Sequence, residues 1–257
     1  MILTPENYYS HEADMEYFSC SQIKKFASCP ARAMAELRGE YVQSQTDSLL
    51  IGGYVDAYFE GTLDDYIARH PEIVKRDGTL KAQYLHANTM IARAESDKKF
   101  MEYMVGDKQT IMTGVIDGYP FKIKMDVYHP ERIVDLKTTA NFLPVYKPGQ
   151  GRMTFIEAYQ YTLQGAIYQA VEGHFMPFYI AAITKEAQPD IAVVRIGQHY
   201  LDADMKLLRD NLPYYDAIKQ GMIEPPRCEH CAYCKATRKL TGAIELDEFE
   251  MIYFEGE

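Results

Sequence analysis

The chain is expected to fold as α/β (α+β), with an N-terminal helical region ahead of a central mixed β-sheet flanked by helices. Three observations predict this. Helical patterns fill most of residues 1–105. Two β-rich runs follow, 110–116 and 121–139, the first ending at Asp117-Gly118, a strong hairpin turn signal. A capped helical pattern over 154–173 then separates them from two more strand-like runs, 178–184 and 191–196. Strands interrupted by a helix in this way build a layered core of sheet and helices.

The elements follow in order. Residues 1–18 are polar and tyrosine-rich and read as an extended arm or loop. Over 19–37, Ser19 followed by Gln22 fits a capping box, and Ile23 and Phe26 give a short apolar face. Pro30 either interrupts this helix or opens a second one at its first position. Residues 49–60 predict a helix with Leu50, Val55 and Phe59 on its buried side, and Gly52-Gly53 signals close approach of another backbone. Two or three helical pieces are expected over 63–104, broken near Pro71 and Asp77-Gly78. Residues 142–152 hold Pro144, Pro148, Gly149 and Gly151 and read as a loop, a candidate mobile segment. Thr154, with Glu157 three residues on, caps the next helix, and Gly173 stops it. Ile156, Leu163, Ile167 and Ala170 form its buried stripe, and Glu157, Tyr161, Gln164 and Tyr168 a second one. Residues 200–221 read as a helix that Pro213 kinks or breaks, and an acidic tail follows Lys239.

Length and composition bound the function. The 257 residues, 47% hydrophobic, can bury an ample core. The expected organisation is a single domain, 1–257: a helical part over 1–105, a β-sheet core over 106–200, and a helix, cysteine-rich turn and acidic tail over 201–257. A net charge of −10 argues against a broadly basic nucleic-acid coat protein but leaves room for a local basic groove. No apolar run approaches the roughly 18 residues of a membrane span, and no leader-like segment opens the chain. The expected location is therefore cytoplasmic, without a membrane partner, where the five cysteines stay reduced.

The chemistry concentrates in 121–139, FKIKMDVYHPERIVDLKTT. Two strands joined by a turn at His129 to Arg132 are expected. Strand alternation puts Lys122, Lys124 and Asp126 on one side and Ile123, Met125 and Val127 on the other. It likewise pairs Asp135 with Lys137, against Val134 and Leu136. Two carboxylates and an ammonium converging at the strand ends suit a divalent ion, a water and a phosphodiester, because hydrolysis needs an activated water and neutralised phosphate charge. The competing reading is a surface hairpin with solvated charges. For Lys122 and Lys124, both phosphate contact and plain solvation stay open.

In Asp126…Asp135-Leu136-Lys137-Thr138 the sequence resembles the PD-(D/E)XK nuclease superfamily, and within it the RecB-like exonucleases of the phage-type, exonuclease VIII-like (RecE-like) group. Gln164-Gly165-Ala166-Ile167-Tyr168 is similar to the Gln-x-x-x-Tyr helix of RecB-like members, and Ser21 to Pro30 to their early Cys-Pro helix; the likeness spans about 19–240. The resemblance implies a restriction-endonuclease-like core, catalytic Asp126, Asp135 and Lys137, and Mg2+ (or Mn2+) held by Asp126 and Asp135. It also implies Gln164 and Tyr168 contacting the DNA backbone or orienting the site. It departs at one point: where the family has a metal-binding histidine, Gly52-Gly53-Tyr54-Val55-Asp56 offers Asp56, either a third metal ligand or a helix-surface acid.

Cys228-x2-Cys231-x2-Cys234 places three thiols within seven residues, and a metal site there needs a fourth ligand. His230, Cys29 and Cys20 are the candidates, and free thiols on a turn are the alternative. Several RecB-like nucleases, which this arrangement resembles, join one early and three late cysteines in a [4Fe–4S] cluster; that implies Cys29, Cys228, Cys231 and Cys234 as ligands of iron–sulfur or Zn2+. The first functional reading is a Mg2+-dependent DNA exonuclease acting on linear duplex ends and leaving single-stranded product. The resemblance implies phage or prophage recombination, a single-strand annealing partner and homo-oligomers. The rivals are an iron–sulfur RecB-like nuclease of a repair or helicase–nuclease complex, and a non-catalytic DNA-binding scaffold.

Overall fold

The structure, a computed structural model, describes residues 1–240, 242–247 and 249–250, so most of the expected tail segment 249–257 lies outside the described residues. The helical region comprises α1 (His11–Glu16), α2 (Cys20–Ser28), α3 (Pro30–Leu37), α4 (Asp47–Glu60), α5 (Leu63–Arg69), α6 (Ala82–Glu95) and α7 (Lys98–Tyr103). The sheet strands are β1 (Asp107–Ile116), β2 (Tyr119–His129), β3 (Arg132–Thr139), β6 (Phe178–Thr184) and β7 (Ile191–Arg195), in spatial order β1-β2-β3-β6-β7. All neighbours are antiparallel except β3 and β6, which run parallel. That parallel pair needs a crossover, supplied by α8 (Phe155–Ala158) and α9 (Tyr161–Glu172). The long α10 (Gln198–Lys219) and short α11 (Ala232–Ala236) follow.

The mixed sheet divides the core in two. Phe121, Ile123, Met125 and Ile133 pack with α2, α3, α9 and α10. Val127, Val134 and Leu136 pack with α4, α6 and α7. Strict alternation expects Val127 beside Met125, yet it joins the opposite cluster. The departure falls where Gln109, across from Asp126, adopts φ +53 and interrupts the ladder between β1 and β2.

Several local expectations need correction. The first eighteen residues are not a free arm: α1 forms, Phe18 bridges to Phe121, and Lys122 is buried against Tyr8 O and the Asp14 carboxylate. Lys122 therefore neither meets solvent nor stands free for phosphate. Ser19 caps α2, but Gln22 turns to Asp14 rather than closing the box. Pro30 opens α3 at its first position, with Cys29 as cap. The loop over 142–152 contains a two-stranded hairpin, β4 (Val145–Lys147) with β5 (Gly151–Met153). The single helix over 154–173 is two: Thr154 and Glu157 complete a capping box on α8, then Gln160 at φ +55 restarts the chain as α9. Pro213 does not break α10, because it lies on the exposed side, where the carbonyl it frees can turn to water.

The glycine pair in α4 works as spacing, though side chains rather than backbone approach it. A Cβ on Gly52 would sit 3.0 Å from Thr138 Oγ1 on β3, and one on Gly53 2.6 Å from Tyr66 Oη. Gly165 is tighter still: a Cβ there would lie 2.4 Å from the Phe178 ring. Alanine in a helix gains about 1 kcal/mol over glycine, but overpacking costs about 1–3 kcal/mol. Gly165→Ala should therefore lower stability in urea unfolding. A midpoint at or above that of the parent would show that Phe178 can give way.

Candidate active site

β2 and β3 pair only through Val127↔Val134, Tyr128↔Ile133 and His129↔Arg132. One position further the strands part. The Asp126 carboxylate fills the gap, its Oδ2 accepting from Leu136 N at 2.9 Å and its Oδ1 from Gln109 Nε2 at 3.3 Å. The divergence leaves room beside Asp135 and Lys137. Asp135 is 1% exposed; its Oδ1 accepts from Gln164 Nε2 at 2.7 Å and its Oδ2 pairs with the Lys137 ammonium. Gln164 also donates to Tyr168 Oη at 3.0 Å, and Tyr168 donates to Lys124 O at 2.8 Å. α9 thus anchors the acid on β3 to the backbone of β2. Burial, and then the nearby Asp135, hold the Tyr168 phenol protonated, so it keeps its role as donor.

Asp56 arrives from the opposite layer on α4, which the small Gly52 lets settle against β3. Its Oδ1 is buried without a hydrogen-bond partner. Burial raises the Asp56 pKa well above the carboxylate range, and Asp126 adds to the rise while Lys137 opposes it. Asp135 is pushed up to about 7 by burial, with Lys137 pulling down and Asp126 pushing up. Burial alone would lower the Lys137 pKa, but Asp135 and Asp126 outweigh it and keep the amine charged. Three carboxylates therefore crowd one ammonium. That surplus of negative charge, together with an orphaned carboxylate oxygen, is the donor set a hard divalent cation takes.

These groups line a cavity of about 520 Å³. The structure brings together Asp56, Asp126, Asp135, Lys137, Gln164 and Tyr168 there. Among the lining residues that sequence reasoning missed are Glu60, Gln109, Lys24 and Tyr9. Glu60 was within reach, being one helical turn past Asp56. Lys24 on α2 donates to Tyr159 O, and its ammonium and that of Lys137 lie 5.0 Å and 5.2 Å from the Tyr161 ring centroid. Glu157, the first member of the polar stripe, is spent on its cap and exposed.

Far along the chain, Cys29, Cys228, Cys231 and Cys234 come together, their Sγ atoms all within 4.8 Å of one another. Cys20 is not among them. Backbone N–H groups of Cys231 and Cys234 donate to the sulfurs of Cys228 and Cys231 at 3.3 Å and 3.4 Å. The turn is held by Arg227, which donates to Glu229, Thr237 and Cys234 O, and by Arg238 on Glu229. Among the described residues no helix is long and apolar enough to cross a membrane.

Comparison with known proteins places this geometry. Residues 19–237 match the model of the PDDEXK-like domain of unknown function (DUF3799), so the chain belongs to this PDDEXK-like family. The crystal structure of a candidate exonuclease from Eubacterium rectale superposes at a TM-score of 0.93, with 40% identity over 97% of this chain and 98% of that one. A second solved structure, SSO0001, aligns at a TM-score of only 0.32 and 14% identity over 86% of this chain and 96% of that one. No curated protein matches. The mixed sheet with flanking helices is thus that of a PDDEXK-like nuclease fold.

The crowded carboxylates have a measurable consequence. A carboxyl whose pKa is raised on folding holds its proton more tightly in the native state, so stability falls as pH rises from the unfolded value through the folded one. For Asp135 that window runs from 3.8 to about 7. Metal-free protein should therefore lose stability across it. Asp56→Asn removes the acid that crowds Asp126 and Asp135 and should lessen this loss of stability, read as the melting temperature in EDTA across the same pH window. An Asp56→Asn protein that loses as much as the parent across that window would contradict the repulsion.

Proposed function

We propose that this PDDEXK-like chain is a metal-dependent DNA exonuclease, hydrolysing phosphodiester bonds at the ends of linear duplex DNA and leaving single-stranded product. The observation that carries this reading is the meeting of Asp56, Asp126 and Asp135 with Lys137 in one cavity, with Asp56 Oδ1 left unpaired. Asp126, Asp135 and Asp56 would hold Mg2+ (or Mn2+), and such an ion, when bound, activates water and neutralises phosphate charge. The chain supplies the rest. Asp135 fixes the Lys137 ammonium, which can hold the attacking water by a hydrogen bond and stabilise the oxygens that gain charge at phosphorus. Gln164 and Tyr168 lock Asp135 in one orientation, so little reorganisation is needed as charge develops. The RecE-like resemblance supports a setting in phage or prophage recombination, beside a single-strand annealing protein.

The four thiols form a second, structural metal site in this reading. Thiolates around one tetrahedral Zn2+ at about 2.3 Å stand about 3.8 Å apart. Cys29 and Cys234 are separated by 3.5 Å and Cys228 and Cys234 by 3.9 Å, which fits a single ion. A [4Fe–4S] cubane spreads its four thiolates considerably further, although the Cys-x2-Cys-x2-Cys spacing is one that bacterial clusters use. We therefore assign zinc.

With Mg2+ present, linear duplex DNA should be degraded and a covalently closed circle spared. EDTA should stop the reaction, and Lys137→Ala should slow it about 10²–10³-fold, the usual loss of one charge-stabilising group. Equal attack on the circle would remove the exonuclease assignment; full activity in Lys137→Ala would remove the catalytic one.

Purified protein should carry one zinc per chain and be colourless. A brown protein with about four irons per chain would replace zinc by iron–sulfur. Absence of both metals would leave four free thiols.

A further inference from the structure

The cavity that holds the carboxylates also has an aromatic rim, built by the N-terminal segment. Tyr8 is buried, Tyr9 is 70% exposed, and their rings meet edge to face at 4.9 Å and 87°. Both line the cavity. Lys124 on β2 lies 4.9 Å from the Tyr9 ring centroid and 5.9 Å from that of Tyr8, and Lys122 lies 4.8 Å from Tyr8. The segment is tied down at several points. Lys122 bonds Tyr8 O and the Asp14 carboxylate, Gln22 bonds Asp14, and Phe18 pairs with Phe121. Tyr9 is thus an exposed ring on a rigid mount, with the Lys124 ammonium over one face, leaving the other for a base, and the carboxylates in the same cavity. Lys24 and Lys25, the latter held by Glu36, add further cations to that cavity.

Aromatic rings backed by cations are how proteins hold single-stranded nucleic acid, with bases stacking and phosphates meeting Lys and Arg. Room also limits the substrate. A cavity of about 520 Å³ is of the size that takes a drug-like ligand. It has room for roughly one or two nucleotides of one strand.

We propose that Tyr9 is a stacking platform for a base near the end of a single strand, and that the favoured DNA end is therefore one with an unpaired overhang or a frayed terminus. This rests on the nuclease reading for what happens to the strand next, but not for its capture. Lys124 and Lys24 meet the phosphates beside the stacked base, and the carboxylates with Lys137 receive the scissile one.

The test uses full-length protein and short duplexes carrying 2-aminopurine at the terminal nucleotide, either blunt or with an unpaired overhang. Binding is measured in EDTA, where metal-dependent hydrolysis is off. Stacking on Tyr9 should quench the probe on the overhang. Tyr9→Phe, which keeps the ring, should quench as the parent does. Tyr9→Ala should lose the quench and bind the overhang about 5- to 100-fold more weakly, the range that loss of one stacked base brings. Tyr9 is exposed, so both variants should melt with the parent. In turnover with Mg2+, Tyr9→Ala should raise KM for overhang ends more than it lowers kcat. Unchanged quenching and affinity in Tyr9→Ala, or an equal loss on blunt and overhang ends, would overturn the platform. The two readings fail separately: cleavage indifferent to Tyr9 sinks the platform alone, and Tyr9-dependent quenching without any cleavage sinks the nuclease reading and leaves the platform standing.

Discussion

The separation of two neighbouring strands at Asp126 and Asp135 is the constraint from which the rest of the site follows. An antiparallel ladder would continue past Val127 and Val134 and zip the two acids into the sheet. Instead the Asp126 carboxylate takes the Leu136 N–H that the ladder would have used. One side chain thereby satisfies the Leu136 donor and fills the space where the strands part. On the other flank of β3 the ladder is unbroken, running in register with β6 from Ile133↔Phe178 to Thr139↔Thr184. Asp135 and Lys137 therefore sit on a strand that is rigid on one side and released on the other.

That placement has an electrostatic cost, and the chain does not relieve it internally. Asp56, Asp126 and Asp135 share one ammonium in a partly desolvated space, where like charges raise each other's pKa. Hydrogen bonds are spent on orientation: Gln164 holds Asp135, Tyr168 holds Gln164, and Lys124 O holds Tyr168. Asp56 Oδ1 receives none. That unpaired oxygen is what the divalent cation of the proposed function would take. The overall charge of −10 gives no hint of this. The cavity is acidic at its carboxylates and basic through Lys24, Lys25 and Lys124, and a sum over the chain cancels the two.

How much of this the sequence disclosed depends on whether a feature is local. Asp117-Gly118 announced its hairpin because both residues need positive φ, and both have it, at 49° and 89°. The Thr154 and Glu157 box, Pro30 at the start of α3 and Gly173 at the end of α9 are equally local and equally legible. Asp126, Asp135, Lys137, Gln164 and Tyr168 were found through their order along the chain, but their hydrogen-bonded contact depends on the crossover that carries α9 back over the sheet. What stayed hidden was set by distant partners. Lys122 read as a surface lysine until Asp14, 108 positions away, closed on it. Residues 1–18 read as loose because nothing within them shows that Phe18 will pair with Phe121. The break at Gln160 was invisible because the apolar spacing continues smoothly across it while the backbone does not.

Segments near both ends of the chain also bear on the site. The first eighteen residues supply the aromatic rim and are fixed to β2 through Lys122 and Phe121. At the other end, the cysteine-rich turn meets Cys29, the cap of α3, and Pro226 O accepts from Ala31 N at 3.1 Å. α2 and α3 are adjoining helices that line the cavity through Lys24, Lys25, Ala33 and Glu36. The carboxylates stand on β2, β3 and α4, none of which the cysteines touch. A metal at the four thiols would thus steady the basic wall of the cavity without touching the three carboxylates proposed to hold Mg2+. In the proposed readings, strand capture and hydrolysis meet on β2, which carries both Lys124 and Asp126 and whose Lys124 O accepts from Tyr168. That carbonyl belongs to the same residue whose ammonium faces Tyr9, so a shift of β2 at Lys124 would move the stacking rim and the Gln164–Asp135 anchor together.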